Sequence, residues 1–231
     1  MTPALIAELR AALSARRRMV LATRLSDGAQ RLTEPGRDTP SGITLIDGEE
    51  WFRHEFAPPL RLLVVGATHL AQTLAQHAQL LDFVVSIIDP RAMFATAERF
   101  PRCELVLSWP GAALEMLAPD RDSAIVVLSH EAKFDDPALI AALRSPAFYI
   151  GALGSRKTQA ARRGRLAAAG FGAAEQGRIH GPVGLAIGAI GAGEIAVAIL
   201  AEIIAVRRGA AVQDRLPAED RRAGTISARV E

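Results

Sequence analysis

The chain has 231 residues, half of them apolar, with 27 Lys and Arg against 25 Asp and Glu for a net charge of +2. That length buries a substantial core, as one large domain or a main domain with a small appendage. The small charge excess and the scattered basic residues, without interleaved aromatics, give no footprint for nucleic acid, and charged residues interrupt every long apolar run, which excludes a bilayer span. Cys103 is the only cysteine, so there is no internal disulfide and no multi-cysteine metal site. No apolar signal-type region follows Arg16, Arg17 and Arg18, and a cytoplasmic location is the expectation.

Thr2 is placed to cap a helix opening at Pro3, with Leu5, Ile6, Leu9 and Leu13 on one side. Strands are expected at 19–23 and 43–46, with turns at Ser26-Asp27-Gly28 and Asp47-Gly48 and a loop over 34–42. Residues 1–57 thus form a small N-terminal α/β section, too short for an independent core and closed by the stiff Pro58-Pro59 link. From Leu60 the pattern becomes strand–helix alternation, with strands at 62–66, 84–89, 104–108, 125–129 and 147–153. Their continuous Val/Ile/Leu runs predict a mostly parallel sheet covered on both faces, the doubly wound α/β architecture of Rossmann type. Helical spacing recurs at Leu70, Leu74, Ala78 and Leu81; Asp136-Pro137 opens a helix reaching Arg144, and Ser155 opens one ending near Gly170. The helix expected from Gly193 to Arg208 is apolar on most of its circumference, which buries it in the fold or in a dimer interface. Residues 58–209 make one Rossmann-like domain, and 210–231 are read as a polar, mobile tail.

In open α/β sheets ligands bind beyond the carboxyl ends of the strands, near the point where strand order reverses. Those ends carry Gly66-Ala67-Thr68-His69, Asp89-Pro90-Arg91, Ser108-Trp109, Ser129-His130 and the stretch from Gly151 to Lys157. The last is the most informative. Gly151 and Gly154 let backbone approach a ligand, Ser155 caps a helix, and Arg156 and Lys157 add full charges to outward-pointing amides, which builds an anion site. After the first strand, Gly66 and Ala71 fit a dinucleotide fingerprint, but Thr68 replaces the second glycine. Asp89 stands where an acid grips a ribose, or where a strand simply ends in a turn before Pro90. His69 and His130 follow the first and fourth strands and serve either as hydrogen-bonded structural groups or as ligand donors, metal ligands or a proton shuttle; no spacing names a metal site. Asp135 and Asp136 read as a capping pair and Cys103 as a small buried hydrophobe.

Five stretches in one order carry a resemblance: RLLVVGATHLA at 61–71, IDPR at 88–91, SHEAKFDDP at 129–137, YIGALGSRKT at 149–158, and IHGPVGLAIGA at 179–189 leading into Glu194-Ile195-Ala196. Together they resemble the XdhC/CoxI family of xanthine dehydrogenase accessory proteins, over about residues 58–208. The resemblance implies a Rossmann-type domain that binds the molybdenum cofactor (molybdopterin), supports its sulfuration and hands it to a molybdenum hydroxylase apoenzyme, without turnover of its own. A cysteine desulfurase and a second copy of the chain are the other partners it implies. The cofactor-binding residues expected on this reading are Gly66, Thr68, His69, Asp89, Arg91, His130, Gly151, Gly154, Ser155, Arg156 and Lys157. The chain departs from the family pattern at Ala186, where an acid is usual, at Gly191-Ala192, where Thr-Pro is usual, and in having no cysteine before residue 103. It reads as a divergent or partial member. The competing readings are an NAD(P)-dependent oxidoreductase and a nucleotide-sensing or scaffold module with a vestigial pocket.

Overall fold

The computed structural model describes residues 1–36 and 41–210, and the chain divides into two compact units, Met1–Pro59 and Leu60 onward. The expected mobile tail therefore lies, from residue 211 on, outside the described residues.

In the first unit Thr2 caps α1 (Pro3–Ser14), its hydroxyl accepting from the Leu5 amide. Four strands follow, β1 (Met19–Arg24), β2 (Gln30–Thr33), β3 (Gly42–Ile46) and β4 (Glu49–Phe56), in the antiparallel order β2-β1-β4-β3. Asp47 and Gly48, both at positive φ, make the tight turn between β3 and β4. Sequence pattern marks β1 and β3 but not β2 and β4. β4 is rich in charge because its acids reach cations of β1 and the residue before it: Glu49 meets Arg24 and Glu55 meets Arg18, each at 2.8 Å. Contrary to expectation, this section has a small core of its own, in which Leu9 and Ala12 pack on Met19, Leu32 and Phe56.

The second unit is a six-stranded sheet of β5 (Arg61–Val65), β6 (Val84–Ile88), β7 (Glu104–Val106), β8 (Ser123–Val127), β9 (Tyr149–Ala152) and β10 (Ile179–His180). All neighbours are parallel in the order β10-β9-β8-β5-β6-β7, which reverses between β5 and β8. This is the doubly wound arrangement predicted from the apolar runs. Alternate residues feed two cores. Leu62, Val64, Val85, Ile87 and Val126 pack on one face against α2 (His69–Leu80) and α7 (Ala192–Arg207). Leu63, Val65, Ile125, Val127 and Ile150 pack on the other against α3 (Pro110–Leu117), α4 (Ala132–Arg144) and α5 (Arg156–Ala168). A short α6 (Ala173–Gln176) precedes β10.

One expectation changes. α4 begins at Ala132, so Pro137 sits inside the helix instead of opening it. The amides of Phe134 and Asp135 already bond the Glu131 carbonyl, which closes a helical turn before the proline is reached. In α7, Ala196, Ile199, Leu200 and Ile203 are buried within this unit, while Val197 and Ile204 remain exposed.

Candidate functional site

The carboxyl ends of β5, β6 and β8 frame a narrow crevice lined by Gly66, Asp89, Pro90, Arg91, Pro110, Ser129 and Phe134, among others. It lies at the point where the strand order reverses. Gly66 stands at φ +100°, and a Cβ on it would lie 3.1 Å from the Ser129 amide nitrogen. Both facts require glycine there, because the left-handed region strains other residues and the neighbouring element is backbone. Gly66→Ala is expected to cost roughly 1–3 kcal/mol, read as a lower urea midpoint at unchanged m-value.

Asp89 is 1% exposed and fully engaged. Its oxygens accept from the Ala67 amide (2.9 Å), the Arg91 amide (3.0 Å), and Arg91 Nε and Nη2 (2.9 Å each). Burial alone would raise this carboxyl, but the hydrogen bonds from Arg91 and the Ala67 amide outweigh it and hold the group below the usual carboxylate range. The remaining Arg91 nitrogen donates to Glu131 at 3.3 Å, and the guanidinium lies over the rings of Phe94 and Phe134. Asp89 and Arg91 thus lock the turn after β6 to the turn after β5. Thr68 caps α2, its hydroxyl accepting from the Ala71 amide at 3.1 Å. His69 and His130 are both exposed at this edge, and among the described residues no hydrogen bond or ion pair joins them. Among the described residues no group of three or more His, Cys, Asp or Glu is arranged to hold a metal ion.

The β8 and β9 ends are joined by a buried polar network. Ser129 Oγ donates to Asp135, whose second oxygen accepts from Arg162 Nη2 at 2.8 Å. Arg162 also donates to Gln159 (2.6 Å) and to the Leu153 carbonyl (3.1 Å), and Gln159 donates to the Ala152 carbonyl (2.9 Å). Burial pushes the Asp135 carboxyl above the usual range, against the pull of Ser129 and Arg162. The pair Asp135 and Asp136 is therefore not a helix cap. Asp135 anchors α4 to α5 from inside, and Asp136 reaches Arg165 on the surface. Sequence reasoning missed Arg162 and Gln159 because α5 reads as a solvated basic helix; the available signal was their i, i+3 spacing, with Leu166 one turn on, along its buried side.

That network seats the start of α5. Ser155 caps it, accepting from the Thr158 amide at 3.2 Å, and Gly154 turns at φ +135° against the Thr158 side chain. Ser155, Arg156 and Lys157 are exposed, and among the described residues neither cation has a hydrogen-bond or ion-pair partner. Gly151 lies buried inside β9, where the room a side chain would fill is taken by Val183 and the Tyr149 ring. Beyond it Glu202 of α7 accepts from Tyr149 Oη (2.6 Å) and the Gly184 amide (2.8 Å), with His180 Nδ1 at 3.4 Å and the His180 ring stacked on Tyr149. Burial would raise Glu202, yet hydrogen bonds from His180, Tyr149 and Gly184 hold it below the usual range. The signal for Glu202 was its place among apolar residues well past the first turn of α7, where Glu194 sits, because a buried carboxylate is tolerated only with partners. Cys103 is partly buried against the core with Gln79 Nε2 at 3.2 Å, and burial pushes its thiol up.

The model of the XdhC Rossmann domain matches residues 62–203, nearly the whole of this sheet and most of α7. The chain belongs to the XdhC family. Three relatives of this XdhC chain are similar to it over 152 to 162 residues. YqeB of Escherichia coli K12 is 32% identical over 152 residues, 65% of this chain and 28% of that protein. The molybdenum cofactor insertion chaperone PaoD, from the same strain, is 30% identical over 156 residues, 68% of this chain and 43% of PaoD. A probable xanthine dehydrogenase subunit of Bacillus subtilis 168 is 33% identical over 162 residues, 70% of this chain and 47% of that protein. The XdhC chain thus matches less than half the length of each of these relatives. The crystal structure of a Bacillus halodurans protein described as a xanthine dehydrogenase superposes with a TM-score of 0.70 at 24% identity, over 89% of this chain and 64% of that one, which shows a common fold. No helix among the described residues of this XdhC chain is long and apolar enough to cross a membrane.

Proposed function

We propose that this chain binds the molybdenum cofactor at the carboxyl edge of its parallel sheet and supports its delivery to a molybdenum hydroxylase apoenzyme, without turnover of its own. The observation that carries the reading is the start of α5. Two exposed cations, Arg156 and Lys157, stand there without ion-pair partners among the described residues, on a helix whose Ser155 cap leaves its first amides outward. The terminal phosphate of molybdopterin fits that donor set. Its pterin edge needs hydrogen-bonding groups, which His69 and His130 supply at the neighbouring loops. Asp89 and Arg91 act on this reading as the scaffold of the crevice, because their polar atoms are taken up by each other, Ala67 and Glu131. When bound, the cofactor supplies the molybdenum–dithiolene chemistry; the chain's residues hold and orient it. PaoD, a molybdenum cofactor insertion chaperone, supports the reading by relationship. Work in the cytoplasm, a cysteine desulfurase as sulfur donor, and self-association through the exposed Val197 and Ile204 belong to the same proposal.

The geometry counts against an NAD(P) oxidoreductase. Thr68 occupies the position where a second glycine admits a pyrophosphate, and the Asp89 carboxylate that would grip a ribose already accepts four hydrogen bonds.

The test is cofactor retention on gel filtration, with NAD(H) in parallel. Arg156→Ala combined with Lys157→Ala is expected to weaken retention roughly tenfold or more, since charge-assisted contacts are the stronger ones, while the far-UV circular dichroism spectrum and urea midpoint stay unchanged. Equal retention by this variant removes the phosphate site. Binding of NAD(H) but not of cofactor by the unaltered protein overturns the carrier reading.

A further inference from the structure

Trp109 follows β7 and directly precedes Pro110, which lines the crevice. An indole offers a large apolar face, and leaving it in water forgoes much burial free energy. Trp109 is nevertheless 56% exposed. Its ring is not loose at the surface. It rests on Phe134 with centroids 5.2 Å apart and planes tilted by 38°. Phe134 is itself buried, lines the crevice, and carries Arg91 over its ring at 5.1 Å and Lys133 at 4.9 Å. Arg91 in turn is held by both oxygens of Asp89. The indole therefore stands at the rim of the crevice on a supported stack of aromatic and cationic groups. Inside, the polar side chains of Asp89, Arg91 and Ser129 are already hydrogen-bonded within the protein. What this rim presents to a ligand is a flat π face.

We propose that Trp109 is a stacking platform for a planar heterocycle bound at the crevice. Its identification as the pterin of the cofactor rests on the carrier reading above. Stacking suits this position because an electron-rich indole and an electron-poor bicyclic ring attract in offset geometry, and the contact needs no free hydrogen-bonding group on the protein side. The phosphate contacts at Arg156 and Lys157 would hold the other end of the same ligand, since the indole, although it follows β7, rests on Phe134 of α4, which follows β8, and β9 lies beside β8 in the sheet.

Two probes test it: released molybdenum cofactor, and an unsubstituted pterin that lacks the phosphate. The chain has two tryptophans, and Trp51 lies in the N-terminal unit, so Trp51→Phe leaves Trp109 as the sole indole emitter. Stacking predicts that both probes quench emission of the Trp51→Phe protein. Trp109→Ala is expected to weaken cofactor binding roughly tenfold, within the range for aromatic stacking, and Trp109→Phe to recover most of it. Far-UV circular dichroism confirms that the variants are folded. If cofactor is retained with equal affinity by Trp109→Ala, the stacking proposal falls and the carrier reading stands. If pterin quenches Trp109 but cofactor is not retained, the platform stands and the carrier reading falls. If neither probe binds the unaltered protein, both fall. If Trp109→Ala leaves both probes unaffected and weakens only capture of a purified molybdenum hydroxylase apoenzyme, the indole is a protein contact and the proposal is overturned.

Discussion

Arg162→Leu is expected to destabilise the C-terminal unit by about 3–5 kcal/mol, the usual result of removing one partner from a buried ion pair. Arg162 is 1% exposed, its pair distance to Asp135 is 2.8 Å, and its Nε has no hydrogen-bond partner among the described residues. The leucine leaves the Asp135 carboxylate, already pushed up by burial, without its cation, and strips the Leu153 carbonyl and Gln159 of a donor. Urea unfolding followed by far-UV circular dichroism measures the loss. Adding Asp135→Leu removes the orphaned charge, so the double variant is expected to recover part of the stability. A shift of less than about 1 kcal/mol for Arg162→Leu would show that solvent reaches the pair, since that is the ceiling for exposed pairs. The consequence reaches the proposed phosphate site because this pair ties α4 to α5, whose first turn carries Arg156 and Lys157.

The second large effect belongs to Glu202. Glu202→Leu is expected to cost about 2–5 kcal/mol, because the Tyr149 hydroxyl and the Gly184 amide lose a buried acceptor and His180 its nearby carboxylate. The same group gives a pH dependence with a definite sign. Its native carboxyl titrates below the ordinary value of 4.5, so near that pH the unfolded chain binds more protons than the folded one. The stabilisation is fully present above about pH 4.5 and is lost as pH falls through the native value. Asp89 acts in the same sense and Asp135 in the opposite one. The comparison that isolates Glu202 is Glu202→Gln, whose urea midpoint should fall less steeply between pH 5 and pH 3 than that of the unaltered protein (~2 pH units spanning the carboxylate range). Parallel slopes would show that Glu202 carries none of the acid sensitivity.

The layout of the candidate site was legible because parallel strands announce themselves as apolar runs, and whatever follows each run must gather at one edge. Gly66, Thr68, Asp89, Ser129 and Ser155 were placed in this way, and Thr68 and Ser155 do cap the helices they precede. Their partners were less legible. Asp89 looks equally available to a ribose or to a neighbour until Arg91 is seen folded back on it. Asp135 looks like a helix cap until α4 is seen to start before it, which turns its side chain inward to Arg162, 27 residues away. β4 and β10 escaped for a related reason. One is masked by charges that pair across strands, and the other is two residues long and exists only because β9 offers it an edge.

By itself, then, the sequence determined the parallel sheet, its two apolar faces, the edge that carries the candidate site, and the capped basic start of α5. Each follows from short-range facts: side-chain alternation, a cap residue, a glycine at a turn. Only the tertiary structure decided which polar groups are already satisfied. Asp89, Arg91, Asp135, Arg162 and Glu202 are taken up inside the fold, while Arg156, Lys157 and the face of Trp109 remain exposed. Hydrogen-bond partners distant along the chain meet only when the sheet brings them together, and burial then makes each pairing obligatory.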